Sequence, residues 1–292
     1  MCWYCEKRKS FILDECPVKL IAEIGCVHGG SEERAIMLCE LACSSGADII
    51  KSQKRNPEES VPALMKKSPH PNSFYSYGSN YLEHRKNLEL DISSHEKMKN
   101  VCEKMGKVYA CSVWDITSAK EVISICPDYI KIPSACNLNF DLIDFILSNF
   151  SRKLHISLGM LSFTDRERLF DKYSSEKNII YYHCTSEYPC KFENLYLNEI
   201  KYLKERFVSD VGFSNHGYGI ASDMVAMAFG ASFIERHFVD DRTFRHTDAA
   251  ASLEPNGLKQ LKRDIVNVYS GFKYRPYSIS EEEQKQLVKM RY

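Results

Sequence analysis

Val18-Lys-Leu-Ile-Ala-Glu-Ile24 is followed, one helix-length segment later, by Ala47-Asp-Ile-Ile-Lys-Ser-Gln53. Each is a short apolar run that ends in polar residues. Between them Ala35, Leu38, Cys39 and Ala42 recur at the i, i+3, i+4, i+7 spacing of an amphipathic helix. Gly46 stands where a helix C-terminal cap belongs. Two strands joined through a helix run parallel in one sheet. The same unit recurs, with further strands predicted at Val108–Val113, Tyr129–Pro133, Leu154–Leu158, Ile179–Thr185, Val211–Ser214 and Phe233–Phe238. Met98, Val101, Cys102 and Met105 form another helical stripe, and Gly106 and Gly230 repeat the cap position. Ser93-x-x-Glu96, Ser118-x-x-Glu121 and Thr164-x-x-Glu167 read as capping-box helix starts. Eight strand–helix units in 292 residues predict an α/β protein, a (β/α)8 TIM barrel, as one domain.

A doubly wound open sheet is the competing architecture, and it calls for a glycine-rich phosphate loop after the first strand. Gly25-Cys-Val-His-Gly-Gly30 does not meet the G-x-G-x-x-G pattern. The spacing breaks once, at a Pro-, Ser-, Tyr- and His-rich insertion from Lys54 to Ile92 after the second strand. On a barrel such an insertion sits on the face that builds active sites. The predicted boundaries are an N-terminal arm 1–17, the barrel 18–273 and a polar tail 274–292.

Composition narrows the partners. Lys plus Arg and Asp plus Glu both number 39, for a formal net charge of +0, which argues against a nucleic-acid or anionic-membrane binder. Hydrophobic residues make up 44% and aromatics 12%, enough for a core. No apolar run is long enough to span a bilayer, and the N-terminus has no uninterrupted apolar signal segment. The 12 cysteines sit mostly within apolar segments, as reduced, buried side chains of a cytoplasmic protein do. Cys2-x-x-Cys5 is half a zinc-ribbon pattern without its second pair.

Polar residues gather where the predicted strands end. They are Glu23; Lys51 and Gln53; Ser112; Lys131 and Ser134; His155 and Ser157; His183, Ser186 and Tyr188; Ser214 and His216; and Glu235 and His237. Two inward lysines among several hydroxyls read as a phosphate site, or as lysines paired with barrel carboxylates such as Glu23 or Glu235. His216 and His237 read as ligands of a divalent ion or as hydrogen-bonded histidines. His155 and His183 lie deeper and read as core residues. There is no G-x-S-x-G elbow and no P-loop.

Eight collinear segments resemble one family. They are Ile21-Ala-Glu-Ile-Gly25, Gly46-Ala-Asp-Ile-Ile-Lys-Ser-Gln53, Ile130-Lys-Ile-Pro-Ser134, Ser157-Leu-Gly-Met160, His183-Cys-Thr-Ser-Glu-Tyr-Pro189, Gly212-Phe-Ser-Asn-His216, Glu235-Arg-His-Phe238 and Thr247-Asp-Ala-Ala-Ala-Ser-Leu-Glu-Pro255. Together they are similar to the N-acetylneuraminate (sialic acid) synthase family, from about residue 18 to residue 270. The resemblance implies a metal-dependent barrel that condenses phosphoenolpyruvate with an open-chain amino sugar, giving a 2-keto-3-deoxy acid and phosphate. It implies that Lys51, Lys131, Ser134, Ser157, Ser186 and Ser214 hold phosphoenolpyruvate. It places a divalent metal (Mn2+, with Mg2+ or Co2+ as substitutes) on His216 and His237. Glu23, Gln53, Glu235 and Asp248 are then the catalytic set, with Tyr188 and Asp248 facing the sugar. The family is commonly dimeric, so a homodimer acting on small molecules is the implied state.

Three departures from the family pattern bear on the acceptor. Family members usually append a small antifreeze-like domain, and the chain ends at Tyr292, before one would fit. Sugar contacts are then expected from the insertion, with Tyr77 and His84 in front and Asn72, Tyr81 and Arg85 beside them. Cys136 stands where the family often has a carboxylate, and Val27 and Ala249 replace polar groups. Two other readings compete: a Schiff-base pyruvate aldolase using Lys51 or Lys131, and a degenerate sugar-phosphate-binding homologue without catalysis.

Overall fold

The structure, a computed structural model, describes residues 16–207, 209–273, 275 and 278–291. The Cys2-x-x-Cys5 pair lies outside the described residues. Eight parallel strands close into a barrel in chain order. They are β1 Lys19–Gly25, β2 Ile49–Lys54, β3 Val108–Val113, β4 Tyr129–Ile132, β5 Lys153–Ser157, β6 Ile179–Cys184, β7 Val211–Asn215 and β8 Phe233–His237. The barrel helices are α1 Glu32–Ser44, α2 Ile92–Lys104, α3 Ile116–Ser124, α4 Phe140–Asn149, α5 Phe163–Lys172, α6 Asn198–Arg206, α7 Ala221–Ala228 and α8 Pro255–Ser270. Every predicted strand is present within one or two residues at each end.

Strand alternation divides the apolar residues into two cores. Leu20, Ala22, Ile24, Ile50, Cys111, Ile130, Leu154 and Ile156 point outward and pack under the helices. Inside, Ile21, Ile49, Ala110, Tyr129, Ile180 and Tyr182 form a separate plug. The Tyr182 ring lies over its register partner on β7 because residue 212 is glycine; a Cβ there would lie 2.4 Å from the ring. Two residues further along each strand the inward positions turn polar. Glu23 pairs in register with Lys51 and with His237, Ser112 with Lys131, and Ser214 with Glu235. A ring of polar side chains therefore caps an apolar plug, at the C-terminal ends of the strands.

The helix starts differ from the capping-box reading. The caps are Asp91, Asp115 and Ser162, whose side chains accept from the backbone N–H of Ser94, Ser118 and Asp165. Ser93, Ser118 and Thr164 lie inside the first turn instead. A short acceptor already stood just ahead of each, in reach of the third amide. Met105, expected in the α2 stripe, is the terminal cap residue and is exposed. Gly46, Gly106 and Gly230 follow their helices with φ of +96°, +68° and +102°, a conformation costly for other residues.

The insertion between β2 and α2 carries short helices at Pro57–Ser60 and Tyr81–Lys86. The described cysteines are all free, most of them buried. Among the described residues no helix is long and apolar enough to cross a membrane.

Buried neutral histidines tie stability to pH. Burial lowers His28 to about 4 and His95 to about 3; His95 Nδ1 lies 2.8 Å from Tyr109 Oη. Between those values and about 6.5, the unfolded chain holds protons that the folded chain does not. Their contribution is complete above pH 6.5 and is lost as pH falls toward 4. The urea midpoint is expected to drop steadily from pH 7 to pH 5; a midpoint constant over that range would show that these histidines are not buried neutral.

Candidate active site

The polar ring lines a cavity of about 330 Å3 that opens at the C-terminal ends of the strands. At its floor Lys51 is ion-paired with Glu23, donates to Ser112 Oγ (2.8 Å) and lies 3.7 Å from Glu235 Oε1. Lys131 Nζ is 2.7 Å from the same Glu235 oxygen, which also accepts from Ser214 Oγ at 3.1 Å. Of the two readings of the lysines, the pairing with Glu23 and Glu235 is therefore present, and it is compatible with a phosphate site above it.

Two ammoniums share Glu235. Although burial favours the neutral acid, Lys131 and Lys51 hold Glu235 down at about 2, as a carboxylate. Burial opposes the Lys51 charge, but Glu23 and Glu235 outweigh it and raise its pKa. Burial, and then the neighbouring Lys51, draws Lys131 below the usual range despite Glu235. A bound anion would relieve that strain on Lys131.

The loops after β4, β5 and β6 form a cradle beside Lys131. Asn137 Nδ2 donates to the carbonyls of Ser157 and Gly159, both at 2.9 Å, and so ties two of these loops together. A Cβ on Gly159 would lie 2.5 Å from Ser186 Oγ, 2.6 Å from Ser134 Oγ and 2.8 Å from Cys184 Sγ. Ser186 Oγ is buried without a hydrogen-bond partner. An orphaned hydroxyl suits an anion's oxygens. Gly159→Ala would press a methyl into these hydroxyls and Cys184, so the serines must move. We expect KM for a phosphate-bearing substrate to rise about 10–100-fold, the value of one charge-assisted hydrogen bond, with some loss of melting temperature from the crowding. An unchanged KM would move the anion elsewhere.

His216 and His237 end neighbouring strands, with ring centroids 5.4 Å apart. His216 Nδ1–H donates to the Thr185 carbonyl at 2.8 Å, which leaves its Nε2 lone pair free. Burial, and then His237, lowers His216 to about 3, so the ring is neutral, the form that ligates metals. Asp248 Oδ2 lies 3.6 Å from His237 Nδ1, and the Tyr188 ring leans on His216 at 4.1 Å between centroids. Among the described residues no three His, Cys, Asp or Glu side chains stand together at ligating distance. Two imidazoles on neighbouring strands, with water completing the shell, fit a divalent ion. Arg236 points outward between Glu235 and His237. It pairs with buried Asp223 (3.2 Å) and donates to the Gly217 and Gly219 carbonyls, which anchors the loop that carries His216.

Glu23, Gln53, Lys51, Lys131, Ser134, Ser157, Ser186, Tyr188, Ser214, His216, Glu235, His237 and Asp248 all line this one cavity. Tyr77 and His84 do not. Tyr77 Oη donates to the Arg245 carbonyl (3.0 Å), and His84 is buried beneath the insertion, where its Nδ1 accepts from the Tyr77 N–H. Their aromatic spacing served the packing of the insertion itself. Arg85 lines the cavity in their place. Sequence reasoning missed Arg55 and Trp114, which stack at 3.6 Å on the cavity wall. Arg55 lies two residues beyond Gln53, so the strand period could have flagged it. Cys136 packs with Sγ 3.5 Å from the Trp114 carbonyl, and burial pushes its thiol up to about 11, a packing residue. His155 is stacked on Tyr129 and bonded to Tyr182 Oη at 2.9 Å, deep in the barrel.

Comparison with known proteins agrees with this geometry. Residues 38–274 match the model of the NeuB family. The N,N'-diacetyllegionaminic acid synthase of Campylobacter jejuni is 30% identical over 272 residues, which cover 92% of this chain and 81% of that one. The human N-acetylneuraminate-9-phosphate synthase is 30% identical over 251 residues, 85% of this chain and 69% of that one. The crystal structure of N-acetylneuraminic acid (sialic acid) synthetase from Leptospira borgpetersenii in complex with citrate superposes with a TM-score of 0.78 at 25% identity, covering 94% and 91% of the two chains. A matched model spanning most of the barrel, and relatives at this identity, lead to one conclusion: the chain belongs to the NeuB family.

Proposed function

We propose that this chain condenses phosphoenolpyruvate with the open-chain form of an aldose, giving a 2-keto-3-deoxy sugar acid and inorganic phosphate. The observation that carries this reading is the meeting, in one cavity, of paired lysines, a serine cradle and two histidines. The names of its relatives, synthases of legionaminic and sialic acids, support the same reaction.

Lys51, Lys131, Ser134, Ser157, Ser186 and Ser214 hold phosphoenolpyruvate, the ammonium and hydroxyl groups donating to its phosphate and carboxylate oxygens. C3 of phosphoenolpyruvate attacks the aldehyde carbon, and the carbonyl oxygen becomes a hydroxyl by taking a proton that the water adding to C2 gives up. Cationic character develops at C2, above Glu23 and Glu235, and these buried carboxylates stabilise it. Gln53 Nε2 fixes Glu23 through a 2.8 Å hydrogen bond. Glu235 Oε2 is buried without a partner and accepts from the water that adds to C2. Cleavage of the C–O bond then releases phosphate and leaves the C2 ketone. Synthases of this family generally depend on a divalent metal, and His216 and His237 would hold it, with Mn2+ the proposed ion. When bound, the metal supplies Lewis-acid polarisation of the sugar aldehyde. Tyr188 and Asp248 face the sugar.

The test is phosphate release from phosphoenolpyruvate with Mn2+ across a panel of aldoses and acetamido sugars, with product masses recorded. Release that depends on one sugar and yields the mass of a 2-keto-3-deoxy acid is expected. No release, together with borohydride trapping of a pyruvate adduct on Lys51 or Lys131, would overturn the reading in favour of a Schiff-base aldolase.

A further inference from the structure

The cavity has a second cationic end that the phosphoenolpyruvate chemistry leaves unused. Arg55 is 5% exposed, lies flat on Trp114 and donates from Nη2 to Gln53 Oε1 at 3.2 Å. Its Nε is buried with no hydrogen-bond partner, and the nearest acid, Glu89, stands 3.6 Å from it. Glu89 is also taken up by the Arg55 backbone N–H (3.0 Å) and stands 3.9 Å from Lys54 Nζ, and burial raises its pKa. Arg85 lines the same cavity, and its Nε and Nη2 donate only to Tyr81 Oη, at 3.2 and 2.9 Å. Burial, and then the charge of Arg85, draws Arg55 below its ordinary pKa. Arg55 thus shares its one acid, Glu89, with Lys54, and among the described residues no carboxylate is paired with Arg85. Lys51 and Lys131, by contrast, are answered by Glu23 and Glu235.

The serine cradle and the two arginines come from different loops around the mouth. The serine cradle belongs to the loops after β4 to β6. Arg55 follows β2, Trp114 follows β3, and Arg85 comes from the insertion between β2 and α2. Phosphoenolpyruvate needs one of these ends. Guanidinium forks bind phosphate and carboxylate oxygens in pairs, and a buried, incompletely paired set is where such a group gains most.

Resting on the condensation reading above, we propose that Arg55 and Arg85 form an anion subsite for the far end of the acceptor, so that the preferred aldose carries a terminal phosphate ester or carboxylate.

The experiment compares an acetamido hexose, its 6-phosphate and the corresponding hexuronate as acceptors at saturating phosphoenolpyruvate, for the wild-type enzyme and for Arg85→Gln and Arg85→Lys. Calorimetry with the hexose 6-phosphate alone measures binding independently of turnover. We expect one of the anionic sugars to exceed the neutral one in kcat/KM by about 100-fold, with the better anion identifying phosphate or carboxylate. Arg85→Gln should raise KM for that acceptor about 10–100-fold, the value of a charge-assisted bond, and Arg85→Lys should recover part of it. A wild-type enzyme that prefers the neutral sugar, or an Arg85→Gln effect confined to KM for phosphoenolpyruvate, overturns the subsite and leaves the condensation reading standing. No release with any sugar removes the condensation reading; calorimetric binding of the 6-phosphate that Arg85→Gln abolishes would still uphold the subsite, and absent binding would end it.

Discussion

Lys131→Met is expected to lower kcat/KM for phosphoenolpyruvate by two to three orders of magnitude. Lys131 is buried, 2.7 Å from Glu235 and 4.4 Å above the Tyr182 ring, and no water can replace its charge. Methionine keeps the stem and removes the ammonium. Glu235 then keeps only Lys51, 3.7 Å away, and its carboxylate loses most of what holds it near 2. Removing one member of a buried pair costs roughly 3–5 kcal/mol, a factor of about 10²–10³ where that charge serves binding. Lys131→Arg should not rescue, because a planar fork does not fit the space of a point charge. Steady-state kinetics beside a melting curve separate the site from the fold. A fall of less than tenfold, with KM for phosphoenolpyruvate unchanged, would take Lys131 out of the phosphate site.

His237→Ala should have the second-largest effect, about two to three orders of magnitude in kcat, from the several kcal/mol that Lewis-acid assistance supplies. Phosphoenolpyruvate binding should weaken without being abolished, since the lysines and the serine cradle remain. The direct readout is Mn2+ affinity, by calorimetry or by the spectrum of the free ion, which should fall by more than tenfold. Asp248 loses one of its two histidine neighbours in the same variant, so Asp248→Asn is the control, expected to spare Mn2+ binding more than sugar turnover. Unchanged Mn2+ affinity in His237→Ala would remove the metal from this pair.

The barrel was legible because its signals are local. Each strand is a few residues of apolar alternation, and each helix is a stripe of period 3.6. Helix starts were less legible. Asp115 and Ser118 are both good caps, and which amide is reached depends on how the chain leaves β3. The insertion was the least legible part. It has no period, so Tyr77 and His84 looked like sugar contacts although one bonds a backbone carbonyl and the other lies beneath the insertion. Arg55 was overlooked because it falls past the predicted strand end at Gln53, although the alternation of β2 carries on to it.

By itself the sequence determined the order of the elements and the face that each strand residue presents, because a period of two is set by the backbone of that strand alone. Glu23, Lys51, Lys131, Glu235 and His237 were bound to point inward once their strands formed. Only the tertiary structure decided which of them meet. Lys131 and Glu235 are 104 positions apart, and Lys51 and Ser112 are 61 apart. Their contact follows from the register of all eight strand pairs and from closure of the ring, a condition that no single segment carries.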